Sequence, residues 1–264
     1  MSDDNITLNL PQRHSKILTL LQQHGKISVT QLAEILKVSE VTIRKDLSFL
    51  EQQKKLYRTH GSAILISPYI GDRHISEKEK KNITEKQAIG KAAAGLIEPE
   101  DSIIIASGTT MTYFAREITP VGRLTVITSS VPVTQILSQH SQVDVMQLGG
   151  ITRNSSVSVV GPFAEQMLSN FNCSKLFLGV DGIDIDLGLT TTNMLEAQLN
   201  KVMMGTAQKV IVLADSTKFG RRGFSKICDI GAVDLIITDR GIPQLYIDEF
   251  NRQGIEVITV GEQQ

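Results

Sequence analysis

The chain has 264 residues, 41% of them hydrophobic and 21% charged, with a net charge of −1, the proportions of an ordinary globular protein. No apolar run approaches the roughly 20 residues that cross a bilayer, and the N-terminal MSDDNITLNL lacks a signal-peptide pattern. The two cysteines, Cys173 and Cys228, are too far apart to suggest a metal cluster or a disulfide scaffold, so a cytoplasmic protein without metal or cofactor is expected, with no membrane contact.

The near-neutral total hides an asymmetry. Residues 11–67 hold nine Lys/Arg against four Asp/Glu, a net +5, and the remainder holds 18 against 24, a net −6. A small basic region joined to a larger acidic one fits nucleic acid at one end and repulsion from it at the other.

The first predicted helix runs from Arg13 to His24, with Ile17, Leu20 and Leu21 on one face and Gly25 as its stop. Ser28 and Gln31 form a capping box for a second helix, Val29 to Leu36, whose inward residues are Leu32, Ala33 and Leu36. Lys37-Val38 then leads to Ser39, the expected cap of a third helix through Leu50. There Ile43, Leu47 and Leu50 recur at i, i+4 and i+7, while Thr42, Arg44, Lys45 and Ser48 occupy the opposite face. Two short helices joined by so tight a turn make a helix-turn-helix, and the third helix suits a DNA major groove. The basic stretch from Lys54 to Gly61 reads as a wing. Residues expected against double-stranded DNA are Val29, Thr30, Gln31, Ser39, Glu40, Thr42, Arg44, Lys45, Ser48, Arg58 and His60.

Residues 68–84, with Pro68, Gly71 and the run EKEKKN, are expected to be a linker between a domain at 11–67 and another at 85–264. The second domain opens with a helix carrying Ile89, Ala92, Ala93 and Leu96. Strands and helices then alternate, which points to a parallel sheet covered by helices. The strand Ser102–Ala106 leads into Ser107-Gly108-Thr109-Thr110 and a helix through Tyr113, Phe114 and Ile118. That junction is either an anion cradle or a tight turn needing Gly108. Leu124–Ile127 leads similarly into Thr128-Ser129-Ser130 and a helix with an early Pro132. Further strands end at Gly149-Gly150, at Asp181-Gly182-Ile183-Asp184 and at Asp215-Ser216-Thr217-Lys218. Strands at Val233–Thr238 and Glu256–Val260 complete the set. Polar residues at the carboxyl ends of so many strands point to a small polar ligand bound in one crevice.

Arg13, Ile17, Ser39, the Thr42–Leu47 run TIRKDL and the His60-Gly61 turn closely resemble the DNA-binding domain of the DeoR family of bacterial sugar-metabolism regulators. The remainder resembles that family's sensor domain, similar in fold to ribose-5-phosphate isomerase. The resemblance implies an α/β chain: an N-terminal winged helix-turn-helix plus a doubly wound, mostly parallel sheet domain. It implies that Lys86, Ser107, Gly108, Thr109, Thr110, Thr128, Ser129 and Ser130 hold a phosphate, with Gly149 and Gly150 beside them. Asp181, Asp184, Asp215 and Lys218 would surround a sugar or alditol. The stretch Asp215–Phe224, DSTKFGRRGF, resembles the branch that senses phosphorylated hexitols and amino-hexoses. Three positions depart from the family pattern: Ser62 where a second wing glycine is usual, Ala106 where an Asp precedes the Ser-Gly-Thr loop, and Met194, with the acid postponed to Glu196.

The resemblance implies a homo-oligomeric transcription regulator; release of a repressor by its phosphorylated effector is the family's usual behaviour, and activation is the alternative. The competing reading is an isomerase with an appended DNA-binding domain. The loop from Asp184 to Asn193 has no lysine, and the isomerase's helical Glu-Lys pair corresponds to Asn200-Lys201. An amide cannot serve as a base, so binding without catalysis is expected.

Overall fold

The computed structural model describes residues 9–24, 26–53, 55–59, 61–65, 71–120 and 122–261. The chain divides into two compact units, Met1–Ser67 and Pro68–Gln264.

In the first unit α1 (Leu10–His24) is followed by β1 (Lys26–Ser28), α2 (Val29–Leu36), α3 (Glu40–Gln52), β2 (Leu56–Thr59) and β3 (Ser62–Leu65). The capping box at α2 forms with both of its bonds, Gln31 N donating to Ser28 Oγ (3.1 Å) and Ser28 N to Gln31 Oε1 (3.0 Å). Lys37 takes the left-handed conformation after α2 (φ 51°, ψ 44°), a cost of about 1–2 kcal/mol for a non-glycine residue. That residue reverses the chain quickly enough for Ser39 to cap α3. Ile17, Leu21, Leu32, Ile43, Leu47 and Leu56, all fully buried, fill the space between the three helices and the antiparallel sheet β1-β3-β2. This is a winged helix-turn-helix. The substituted wing glycine causes no strain: Gly61 carries the positive φ (77°), and Ser62 is extended, paired with Ser28 and Thr59. Gly25 and His60 lie outside the described residues.

The second unit begins with α4 (Ile75–Glu79) and α5 (Ile83–Ala94), so its ordered structure starts inside the stretch expected as a linker. There follow β4 (Ser102–Ile105), α6 (Thr109–Glu117), β5 (Leu124–Thr128), α7 (Val131–Leu137) and β6 (Val143–Gln147). A hairpin of β7 (Ile151–Arg153) and β8 (Ser158–Val160) precedes α8 (Pro162–Leu168), β9 (Cys173–Leu178), β10 (Gly182–Asp184) and β11 (Gly188–Thr191). The chain ends through α9 (Met194–Thr206), β12 (Ala207–Leu213), β13 (Ser225–Cys228), β14 (Leu235–Asp239), α10 (Gln244–Arg252) and β15 (Glu256–Val260).

Seven strands form one parallel sheet in the order β15-β14-β12-β9-β4-β5-β6. Its strands are apolar on both faces because both are covered. Ile103, Ile105, Phe177, Ile211 and Leu213 join the core beneath α5, α6 and α7. Their alternating neighbours Ile104, Leu176, Leu178 and Val212, equally buried, point to the other face, where α9 packs on β9 and β12. From β4 the chain builds outward through β5 and β6. It then returns to β4's other side as β9 and builds the opposite way. The strand order therefore reverses between β4 and β9, and their carboxyl ends flank the crevice where open α/β sheets bind ligands.

Candidate functional site

On the first unit, α3 turns Ile43, Asp46, Leu47 and Leu50 inward and leaves Val41, Arg44, Lys45 and Gln52 exposed, with Ser48 half-buried. Arg44 Nη2 donates to Glu40 Oε2 (2.8 Å), and Thr30 Oγ1 donates to Glu40 Oε1 (2.8 Å). Glu40 thus ties α2 to the start of α3 and holds a guanidinium at the surface. Three residues expected to touch DNA also have structural work. Val29 is buried, Gln31 completes the capping box, and Ser39 accepts from Thr42 N (3.2 Å) while bonding Thr42 Oγ1 (2.9 Å). Arg58 lies on the same face with its guanidinium on Glu51 (2.6 Å). Val41 on this face is 60% exposed.

Asp46 looks like one more surface charge in TIRKDL, yet it is buried. It accepts from Arg13 Nη2 (3.0 Å) and hydrogen-bonds His14 Nε2 (3.1 Å). Burial pushes its carboxyl up, but the bonds from Arg13 and His14 outweigh that and hold it below the usual carboxylate range. The pair locks α1 to the back of α3.

In the second unit the crevice between β4 and β9 is a cleft lined by the Ser107–Thr110 loop, Gly179 to Asp181, Thr191, Glu196, Lys218, the Arg153–Ser156 turn and residues Asp72, Ile75 and Lys78. The sequence placed Ser107, Gly108, Thr109, Thr110, Asp181 and Lys218 there, and they do meet. Gly108, at φ 132°, is the cap position of α6 and brings no side chain to its first amides. Those amides have no acceptor within the helix. The similar junction at α7 differs: Ser130 Oγ accepts from Val133 N (3.4 Å), so that helix caps itself.

The other expected effector contacts are not brought to the cleft. Thr128 Oγ1 donates to Ile105 O (2.6 Å) and accepts from Ser130 N (3.0 Å), knitting β5 to β4, with Ser129 buried between them in sequence. Lys86 is buried with its Nζ on the carbonyls of Lys78 (2.6 Å) and Lys81. Burial pushes that ammonium's pKa down, against the pull of Asp215. Asp184 accepts from Leu187 N (2.9 Å) and Arg222 Nε (2.8 Å), which fixes the β10–β11 turn. Asp215 accepts from Asn82 Nδ2 (2.9 Å) and Thr217 N (3.1 Å), anchoring the start of α5. Gly149 and Gly150 enter the β7–β8 hairpin, where a Cβ at Gly150 would stand 2.7 Å from Val160 O. Thr128, Ser130, Lys86, Asp184 and Asp215 thus place groups of ligand-like chemistry on the backbone.

The cleft's charges come partly from residues that sequence reasoning passed over. Lys78 Nζ pairs with Asp181 Oδ1 (2.8 Å), and Arg153 pairs with Glu196 and with Asp72 Oδ2 (2.8 Å). Glu196 also accepts from Ser107 Oγ (3.2 Å), so a carboxylate from the first turn of α9 stands at the loop that Ala106 leaves without one. Lys218 makes no ion pair or hydrogen bond through its side chain among the described residues. Burial would push Asp181 up, but the charges of Lys78 and Lys218 hold it at about 2. Glu196 goes the other way, pushed up by burial and by the Asp181 carboxylate. The segment before α5 crosses the cleft. Asp72 accepts from Arg153, Ser155 Oγ (3.0 Å) and Thr192 Oγ1 (3.2 Å), and Ile75 N donates to Ser155 O (2.7 Å).

Comparison with known proteins agrees across both units. A DeoR-like helix-turn-helix domain matches residues 13–69 and a DeoR C terminal sensor domain matches residues 81–240. The putative aga operon transcriptional repressor of Escherichia coli O157:H7 is 37% identical over 254 residues, 95% of this chain and 94% of that protein. The uncharacterized HTH-type transcriptional regulator YulB of Bacillus subtilis (strain 168) is 36% identical, covering 94% of this chain and 96% of its own. The HTH-type transcriptional repressor GlcR of the same organism is 33% identical, covering 94% and 95%. Among solved structures, ribose 5-phosphate isomerase A from Methanocaldococcus jannaschii aligns with 53% of this chain and 55% of its own at 17% identity and a TM-score of 0.38. That likeness is too distant to transfer chemistry.

Proposed function

The chain belongs to the DeoR family of transcriptional regulators, and on that premise we propose that its second unit senses a phosphorylated sugar or alditol that releases the first from an operator. The observation carrying this reading is the pairing of an uncapped helix N-terminus with an ammonium, Lys218, that has no ion pair or hydrogen bond among the described residues. The first amides of α6, the Thr109 and Thr110 hydroxyls and Lys218 all border one cleft. A dianion there gains charge-assisted hydrogen bonds, roughly twice the strength of neutral ones. A neutral hydroxyl would leave amides poorly satisfied. The polar side chains around Asp181 and Thr191 suit a hydroxylated chain beyond the phosphate.

The same cleft supplies a route for the signal. Asp72, Ile75 and Lys78 follow the first unit closely in sequence and are fastened across the cleft by polar contacts to the β7–β8 turn, Thr192 and Asp181. An anion that recruits Arg153 or Lys78 competes with Asp72 or Asp181. Binding in the cleft therefore loosens the chain segment that leads from the DNA-binding unit. A homo-oligomer would place winged helices on repeated half-sites, and the two ligands would oppose each other by linkage.

Two neighbouring carboxyls with opposite pKa displacements are also what proton transfer uses. We read turnover as absent because Glu196 is held by Arg153 and Ser107. Paired hexose, hexitol, amino-sugar and pentose compounds, each with and without phosphate, test both readings by thermal shift and product analysis. One phosphorylated compound raises the melting temperature, is recovered unchanged, and loses its effect in Thr109→Glu and Lys218→Ala. A free sugar that stabilises wild type and both variants equally contradicts the phosphate reading, and conversion of the compound contradicts the sensor reading.

A further inference from the structure

The exposed face of α3 carries one feature that phosphate binding does not use. Val41 lies in the first turn of the helix and is 60% exposed, amid a stripe of Arg44, Lys45, Ser48 and Gln52. The opposite face is committed to the core through Ile43, Leu47 and Leu50, and Val41 is not part of that core. The side chains around it are donors and cations, and it shares with them a shallow concavity bounded by Phe49 and Arg58. Phe49, the other exposed apolar residue of the helix, is accounted for by its stack on His14 (ring centroids 5.1 Å apart).

Residues at the start of a recognition helix are those that reach base edges. Among major-groove groups only the thymine C5-methyl offers an apolar surface. A β-branched side chain is also stiff, so its methyls present a fixed surface with little freedom to lose. Arg44, one turn further along and held by Glu40, is placed to donate to a neighbouring guanine or phosphate. We infer that Val41 is a specificity-determining residue that reads a thymine methyl at one position of each operator half-site. The inference rests on DNA binding by the first unit and not on the identity of the effector.

The test uses the full chain and a duplex selected by it from a random pool, with each thymine replaced in turn by deoxyuridine. The replacement deletes one methyl and leaves every hydrogen-bonding group unchanged. At one thymine per half-site, wild type loses about fourfold in affinity, the equivalent of about 0.8 kcal/mol for one buried carbon. Val41→Ala binds the thymine site more weakly and no longer distinguishes it from deoxyuridine there, while keeping its sensitivity elsewhere. Because Val41 is exposed, its replacement leaves the fold intact, checked by circular dichroism. Wild type indifferent to every replacement overturns the assignment, and so does a Val41→Ala chain that keeps the same methyl sensitivity. A Lys45→Ala chain provides the contrast: it weakens all sites and shifts the salt dependence without altering methyl discrimination.

Discussion

At the scale of single residues, the hydroxyls and carboxylates at the strand ends divide between the cleft and the backbone. Ser107, Thr109, Thr110 and Asp181 face the cleft as expected, but Thr128, Ser130, Asp184 and Asp215 serve backbone turns. A hydroxyl or carboxylate at a strand end meets ligand and turn amides with the same geometry, and one sequence does not say which takes it. Lys86 shows the same ambiguity, its ammonium being spent on two carbonyls. Asp46 shows the reverse, a residue of surface type buried by partners on another helix. Asp46→Ala removes the carboxylate shared by Arg13 and His14 and destabilises the first unit by about 1.5–3 kcal/mol, read as a lower midpoint in urea. Because its folded pKa is depressed, wild-type Asp46 contributes stability above its unfolded pKa of about 3.9. That contribution is lost as pH falls through the folded value. Glu196, with its pKa raised, contributes in the opposite sense: its contribution is full below about 4.5 and is lost as pH rises through its folded value. Melting temperatures of Glu196→Gln across pH 4–8, a range chosen to bracket about 4.5, should decline less on the alkaline side than those of wild type.

At the scale of elements, the long strands and periodic helices were legible because burial on both faces, or on one stripe, imposes a pattern on the residues. The β7–β8 hairpin and the small sheet β10-β11-β13 were not, since three or four residues carry no periodicity. Nor was α4 legible: none of its residues is buried, and polar contacts hold it, Ile75 N on Ser155 O, Lys78 on Asp181, Lys86 Nζ on the Lys78 carbonyl and Arg116 on Glu79. Asp72→Ala removes one of the two carboxylates that Arg153 pairs with, leaving Glu196 in place. It should tighten effector binding by about 1.5–5-fold, the worth of an exposed ion pair, while weakening the effector's influence on DNA. Calorimetric titration beside an operator assay separates the two effects. Gly90 marks where α5 and α6 touch, a Cβ there standing 2.8 Å from Phe114 N. Gly90→Val should destabilise the second unit by about 1–3 kcal/mol, with no change in operator contacts measured on chains still folded.

At the scale of the whole molecule, the charge asymmetry read from composition and the family to which the chain belongs point to the same division of labour. A basic winged helix reads DNA, and a parallel α/β unit offers a cleft at the reversal of its strand order. If both ligands act on one conformational equilibrium, the factor by which effector weakens operator equals the factor by which operator weakens effector. The most direct test is to measure the affinity of the stabilising phosphorylated compound twice, on the free chain and on the chain saturated with operator DNA. The account predicts weaker binding in the second case, by about 5–150-fold, matching the loss of operator affinity at saturating effector. Equal affinity with and without operator would contradict it.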